Sequence, residues 1–256
     1  MTAPRPFLTA RWRYLAMLNY EVPPEVLEPL VPRGTELDSW QGKTFASVVG
    51  FLFLDTRVRG FAIPGHRNFE EVNLRFYVRR KAEDGWRRGV VFVKEIVPRL
   101  AIAATARLLY GEKYVALPMR HSITGDPARG GMYVTYGWRQ PFFRGRWMGI
   151  GAMVSGAAKE AVPGSEEEFI TEHYWGYSSL RGGGGVEYKV EHPRWRVWTL
   201  QRPVLDCDAA ALYGRPFAAP LGAEPSSAFL ADGSEVEVYP GRRLGSPRES
   251  PEAFTR

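Results

Sequence analysis

Glu70-Glu71-Val72-Asn73-Leu74-Arg75-Phe76-Tyr77-Val78-Arg79-Arg80 is the stretch on which the fold turns. Val72, Leu74, Phe76 and Val78 alternate with Asn73, Arg75, Tyr77 and Arg79, and a period of two places successive side chains on opposite faces of a β-strand. On either side, residues 44–54 and 89–97 are rich in β-branched and aromatic side chains and are bounded by Gly, Pro or charge, so both are expected as strands. Further strands are expected at 113–123, 131–139 and 144–154, in a long aromatic run at 186–200 with Tyr188, Trp195 and Trp198, and at 235–239. The sum is a mostly β protein.

Helical signals are fewer. Pro23 and Pro24 open a short helix through Leu30, because a first helical turn tolerates a residue without an amide proton. Leu100, Ala103, Ala104, Arg107 and Leu108 fall at helical spacing before the terminator Gly111. Ser165 precedes Glu166, Glu167 and Glu168, an N-cap with acids at the positive end of the helix dipole, which predicts a helix over 166–174. A last short helix is expected near 207–213. Residues 1–9 read as a loose arm, and the glycines at 182–185 as a hairpin loop or a flexible flap. From Pro240 the chain offers only Leu244, Ala253 and Phe254 as apolar residues, so 240–256 is expected to be a mobile, dispensable tail. Residues 10–239 then form one domain.

Composition narrows the function classes. The chain is 45% hydrophobic and 13% aromatic with 24% charged residues, which suits a globular core and excludes wholesale disorder. Cys207 is the single cysteine, so no internal disulfide can form. Asp206 and Asp208 disfavour its thiolate, so it reads as a packed side chain. No apolar core follows Arg5, Arg11 and Arg13 as in a secretory signal, and the longest apolar run, Phe45 to Leu54, is too short to span a bilayer. A cytoplasmic location without a membrane partner is expected. The formal charge is +6, but the basic residues are scattered. Their densest cluster, Arg79, Arg80, Lys81, Arg87 and Arg88, surrounds a Glu83-Asp84-Gly85 hairpin turn, where solvated charge is ordinary. Nucleic acid is therefore not an expected partner. Self-association into a homo-oligomer is left open.

The chemistry-bearing residues follow no metal or cofactor motif. His66, His121, His173 and His192 lack zinc spacing, the glycine run lacks the GK[ST] ending and following helix of a phosphate cradle, and no GxSxG elbow exists. No metal or cofactor is expected. Lys94 interrupts the apolar strand Val91-Phe92-Val93-Lys94-Glu95-Ile96-Val97. An amine in an apolar cavity loses its proton readily and can form a Schiff base, although on a surface it would be an ordinary solvated lysine. Lys113 beside Glu112, and Glu70-Glu71 near His66, would make an acid–base set if the fold brings them together. An aromatic and polar group, Glu172, His173, Tyr174, Trp175 and Tyr177 with Glu191-His192-Pro193-Arg194-Trp195, offers flat apolar walls with polar handles, which suit a ligand cavity as well as a core.

Several segments in order also resemble a known family: Trp12, Val22-Pro23-Pro24-Glu25, Leu30-Val31-Pro32-Arg33-Gly34, Glu71 through Val78, Gly89-Val90-Val91-Phe92, Ala106 through Gly111, Phe169-Ile170-Thr171-Glu172 and His192-Pro193. Over roughly residues 10–215 the chain is similar to the bacterial domain of unknown function 2071, the YqjF-like proteins, placed near acetoacetate decarboxylase. The resemblance implies a closed β-barrel or cone with an internal cavity for a small carbonyl or carboxylate ligand. It implies that Phe69-Glu70-Glu71 is the counterpart of the decarboxylases' Tyr-x-Glu element, making Glu71 a pocket residue. In Arg107-Leu108-Leu109-Tyr110-Gly111-Glu112-Lys113-Tyr114, Arg107 and Gly111 match, but Tyr114 stands where the Schiff-base lysine belongs. Lys113 is one residue away, a shift that reverses the face of a strand. The expected ligand-binding residues are Glu71, Arg107, Tyr114, Tyr174 and His192, with Arg107 facing inward, and the catalytic candidates are Lys94 and Lys113. The expected function is binding of a small organic acid or aromatic metabolite. The alternative is a decarboxylase-like lyase acting on a keto acid through a pocket lysine.

Overall fold

A computed structural model describes residues 5–99, 113–140, 145–180 and 183–244. The strands in chain order are β1 (Leu8–Glu21), β2 (Glu36–Leu37), β3 (Phe45–Val58), β4 (Phe61–Ala62), β5 (Phe69–Ala82), β6 (Gly85–Val97), β7 (Tyr114–Ala116), β8 (Met119–Asp126), β9 (Gly131–Arg139), β10 (Trp147–Val154), β11 (Lys159–Glu160), β12 (Trp175–Ser179), β13 (Gly185–Glu191), β14 (Arg196–Thr199), β15 (Gln201–Asp206), β16 (Ser227–Val238) and β17 (Arg242–Leu244). Neighbours run β16-β1-β3-β5-β6-β12-β13, and β13 pairs back with β16 through Val190–Val238 and Glu191–Glu237. Seven strands thus close into a barrel, the expected acetoacetate-decarboxylase-like architecture. All of these pairs are antiparallel except β6–β12, which is parallel at Gly89–Trp175 and Val90–Gly176. A second sheet, β15-β10-β9-β8, lies outside the barrel.

The alternation on β5 decides how the two sheets meet. Val72, Leu74, Phe76 and Val78 are fully buried with Val134, Tyr136 and Trp138 of the second sheet, outside the barrel. Each such side chain contributes on the order of 1.5–3 kcal/mol of burial energy. Gly50 on β3 makes room for this contact, since a Cβ there would sit 2.6 Å from the Tyr136 ring. The barrel interior is a separate apolar cluster that includes Met17, Val49, Phe51, Phe53, Phe69 and Tyr77. The more apolar face of β5 therefore looks outward, and its more polar face lines the barrel.

Several sequence expectations are corrected here. Leu8 and Thr9, expected in a loose arm, pair with both β16 and β3. The stretch 113–123 divides into β7 and β8, and 144–154 begins as a strand only at Trp147. The long strand at 186–200 is interrupted between Glu191 and Arg196, where Pro193 lacks the amide that a ladder requires. The strand at 235–239 is the end of the twelve-residue β16. The helix begun at Ser165, which accepts the amide of Glu168, stops at Thr171. Arg242–Leu244, expected in the tail, instead pair with β13. Between β12 and β13, the Gly183 amide donates to Leu180 and the Leu180 amide to Gly184, which makes a hairpin connection. The helix expected at 100–108 and the remainder of the tail, 245–256, lie outside the described residues.

Candidate functional site

An interior cavity of about 230 Å³ runs along the barrel. Its walls include Trp12, Phe51, Phe53, Phe69 and Trp195, and the inward face of β5 contributes the polar residues Glu71, Asn73 and Arg75. A rise of one strand residue alternates faces, so the residues on either side of these, Glu70, Val72 and Leu74, turn outward. Glu70 approaches the exposed His121 at 3.4 Å. Glu95 enters from β6, Tyr114 from β7, Tyr188 from β13, and His173 and His192 from the connections around β12 and β13.

Two polar groupings result. In the first, Glu71 accepts from Asn73 Nδ2 at 2.9 Å and from the Tyr114 hydroxyl at 3.3 Å. Burial pushes the Glu71 carboxyl up to about 7, opposed by the hydrogen bonds from Asn73 and Tyr114 and by the charge of Arg75. Burial, and then the negative charges of Glu71 and Glu95, raise the Tyr114 phenol well above its ordinary value, so it is a proton donor throughout the neutral range.

The second grouping is Arg75 with His173. Arg75 is 9% exposed, yet its guanidinium hydrogen-bonds only the Ile170 carbonyl at 3.4 Å and Met17 Sδ at 3.8 Å, lies 5.8 Å from the Tyr77 ring centroid, and leaves Nε unpaired. Among the described residues no carboxylate forms an ion pair with it within 4.0 Å. His173 is buried against Tyr77, its ring nitrogens lack hydrogen-bond partners, and Nε2 is 3.9 Å from Asp38. Burial holds this imidazole down at about 4, so it is neutral. Burial alone would raise Asp38, but nearby His173 and the Arg88 bond at 2.7 Å bring it to about 2.

The predicted site residues divide. Glu71, Tyr114 and His192 line the cavity. His192 stacks on Trp195 with ring centroids 4.0 Å apart, and burial lowers its pKa. Tyr174 does not line the cavity. It packs behind His192 at 4.8 Å and hydrogen-bonds Glu172. Arg107 lies outside the described residues. The two lysines are corrected: Lys94 turns outward and donates to the Leu212 carbonyl, and Lys113 is exposed. The cause is strand alternation, which gives the inward positions to Glu95 and Tyr114. Among the described residues no lysine lines the cavity. Burial and its acidic neighbours push the Cys207 thiol up to about 12, in keeping with a packed side chain.

Sequence reasoning missed Arg75 and Asn73 as site residues, although the signal was present, whereas His173 belongs to the aromatic and polar group singled out from the sequence. Asn73 and Arg75 share the face of Glu71 in the same alternation that predicts the strand. Among the described residues, no cluster of three or more His, Cys, Asp or Glu side chains is placed to hold a metal ion. No helix among them is long and apolar enough to cross a membrane.

Comparison with known proteins agrees with this architecture. The chain is 28% identical over 193 residues to the uncharacterized protein YqjF of Bacillus subtilis (strain 168), covering 74% of this chain and 73% of that one. Among solved structures it resembles an acetoacetate decarboxylase-like enzyme from Sphingomonas wittichii RW1, with TM-score 0.66 and 14% identity over 96% and 95% of the two chains. It also resembles the enduracididine biosynthesis enzyme MppR complexed with pyruvate, with TM-score 0.64 and 15% identity over 96% and 92%. The acetoacetate decarboxylase of Legionella pneumophila gives TM-score 0.63 and 13% identity over the same shares. These identities speak to the fold alone. The model of the domain of unknown function 2071, described as an uncharacterized conserved protein, matches residues 9–235, and the chain belongs to that family.

Proposed function

We propose that the barrel cavity binds a small organic acid with an apolar or aromatic body, its carboxylate held by Arg75. The observation that carries this reading is a buried guanidinium with no carboxylate partner among the described residues. An unpaired cation in a protein interior costs several kcal/mol, a cost that a ligand carboxylate offsets by a charge-assisted, bidentate pair. The aromatic walls suit an apolar body. The volume of about 230 Å³ lies below the roughly 300–1,000 Å³ of sites for drug-sized molecules, so the ligand is small. The pyruvate in the MppR complex supports the same ligand class. The single cysteine supports a reducing compartment such as the cytoplasm. Carbonyl chemistry through an imine-forming lysine has no cavity lysine among the described residues to carry it.

The test is calorimetric titration with aryl and alkyl monocarboxylates, on the parent and on Arg75→Met. A set of acids binding the parent, with affinity at least tenfold lower in Arg75→Met, is the expected result. Equal affinity in the two proteins would remove Arg75 as the anchor.

A further inference from the structure

We propose that Glu71 and Tyr114 catalyse the reversible enolisation of a ketone carried at the far end of the cavity ligand, so that the substrate is an oxo acid whose ketone lies several bonds from its carboxylate. This rests on the reading of Arg75 as the carboxylate anchor. Glu71 and Arg75 share the inward face of β5 four residues apart, which at the rise of a strand separates their Cα atoms by about 13 Å. That backbone span favours a ligand whose second functional group lies farther from its carboxylate than in a 2-oxo acid. A longer chain passes Asn73 and brings its second functional group to the carboxyl and the phenol.

That end of the cavity has the parts an enolisation needs. Tyr114 supplies a hydroxyl proton, and its contact with Glu71 at 3.3 Å is long for an O–H···O bond. The hydroxyl is shared with the Glu95 carboxyl as well, so a ketone oxygen beside it competes with two carboxylates for the proton and draws it as the enolate charge develops. Glu71 is buried, accepts from Asn73, and stands among Arg75, Tyr114 and Glu95. Burial raises its carboxyl to about 7, so both protonation states are populated near neutrality, as suits a group that takes a proton and returns it. In the forward step a C–H bond beside the ketone breaks and its proton goes to a Glu71 carboxylate oxygen. The electron pair becomes the C=C bond of the enolate, and the carbonyl π pair moves onto oxygen, where the Tyr114 hydroxyl donates. Return of the proton regenerates ketone and carboxylate. No oxidant, reductant or imine is required.

The probe is 6-oxo-6-phenylhexanoate in D2O, followed by proton NMR. The expected result is loss of the methylene signal beside the ketone, with retention of the methylene signal beside the carboxylate as an internal control. Glu71→Gln should slow the exchange at least a hundredfold while the probe still binds by calorimetry, and Tyr114→Phe should slow it about tenfold or more. Arg75-dependent binding without enzyme-accelerated exchange overturns the enolisation and leaves the anchor intact. No Arg75-dependent binding overturns both. Undiminished exchange in a folded, binding Glu71→Gln protein overturns the assignment of the base.

Discussion

Arg242 donates through its guanidinium to Glu187 Oε2 at 2.9 Å, tying the start of the expected loose tail to a carboxylate whose side chain is 1% exposed. Glu187 also receives Arg80 at 3.1 Å, Arg87 at 2.8 Å and the Tyr177 hydroxyl at 3.1 Å. Arg242 itself is 65% exposed, so solvent screens its share of the pairing. Leu244, only 9% exposed, and the β17–β13 ladder add burial and backbone bonds. Truncation after Pro240 should therefore cost roughly 1–3 kcal/mol, a fall of several degrees in melting temperature. Truncation after Leu244, which spares the strand, separates the two segments. A melting temperature unchanged by the longer truncation would show that β17 contributes nothing.

Arg75→Met should leave the ligand-free protein as stable as the parent or raise its melting temperature. The substitution removes a charge that the fold buries without a carboxylate, and methionine fills similar space beside Met17 and Ile170. A ligand-independent loss of several kcal/mol in urea unfolding would instead make Arg75 a structural cation, since only a group paired within the fold is missed when removed.

The strand alternation around Arg75 was legible, but the side on which the cavity lies was not. A polar strand face ordinarily meets water, and only the non-local closure of β13 onto β16 encloses this one. Glu71 emerged through resemblance to a family motif, whereas Asn73 and Arg75 had only their period of two to recommend them. β1 escaped notice for a local reason. Its register on β3 shifts between Thr9 and Arg11 and again between Arg13 and Ala16, and Tyr14 takes a φ of 56°. Irregularities of this kind break the alternation that identifies a strand. Lys94 misled because an apolar run with one lysine reads the same whether that lysine faces a cavity or the Leu212 carbonyl.

Two buried groups give stability opposite dependences on pH. Burial raises Glu71 from 4.5 to about 7, so between those values the folded chain keeps a proton the unfolded chain has lost. Stability from this group falls as pH rises through that window. Burial lowers His173 from 6.5 to about 4, so there the unfolded chain binds the extra proton and stability falls as pH drops. The two effects oppose each other between about pH 4.5 and 6.5. Glu71→Gln removes the opposing slope of Glu71, and urea unfolding at pH 5, 6 and 7 should show stability climbing with pH more steeply than in the parent. Parallel curves for the two proteins would mean that Glu71 titrates as an ordinary carboxylate.

Tyr114→Lys should convert the cavity into an imine-forming site that the parent lacks. Position 114 faces Glu71 inside the barrel, whereas Lys94 and Lys113 lie outside the cavity lining. Borohydride added to the parent with an oxo acid should therefore leave the protein mass unchanged apart from adducts that also form on unfolded chain. In the variant, the same treatment should add one reduced ligand, located at position 114 by peptide mass mapping. Burial favours the neutral, nucleophilic amine, but the carboxylates of Glu71 and Glu95 favour the ammonium and slow its attack. The double variant Tyr114→Lys/Glu71→Gln removes one of those charges and should be trapped faster than the single variant at pH 7. An adduct on Lys94 or Lys113 of the parent would show that a lysine reaches bound ligand after all. A folded Tyr114→Lys protein that never traps one would mean that position 114 does not meet the ligand.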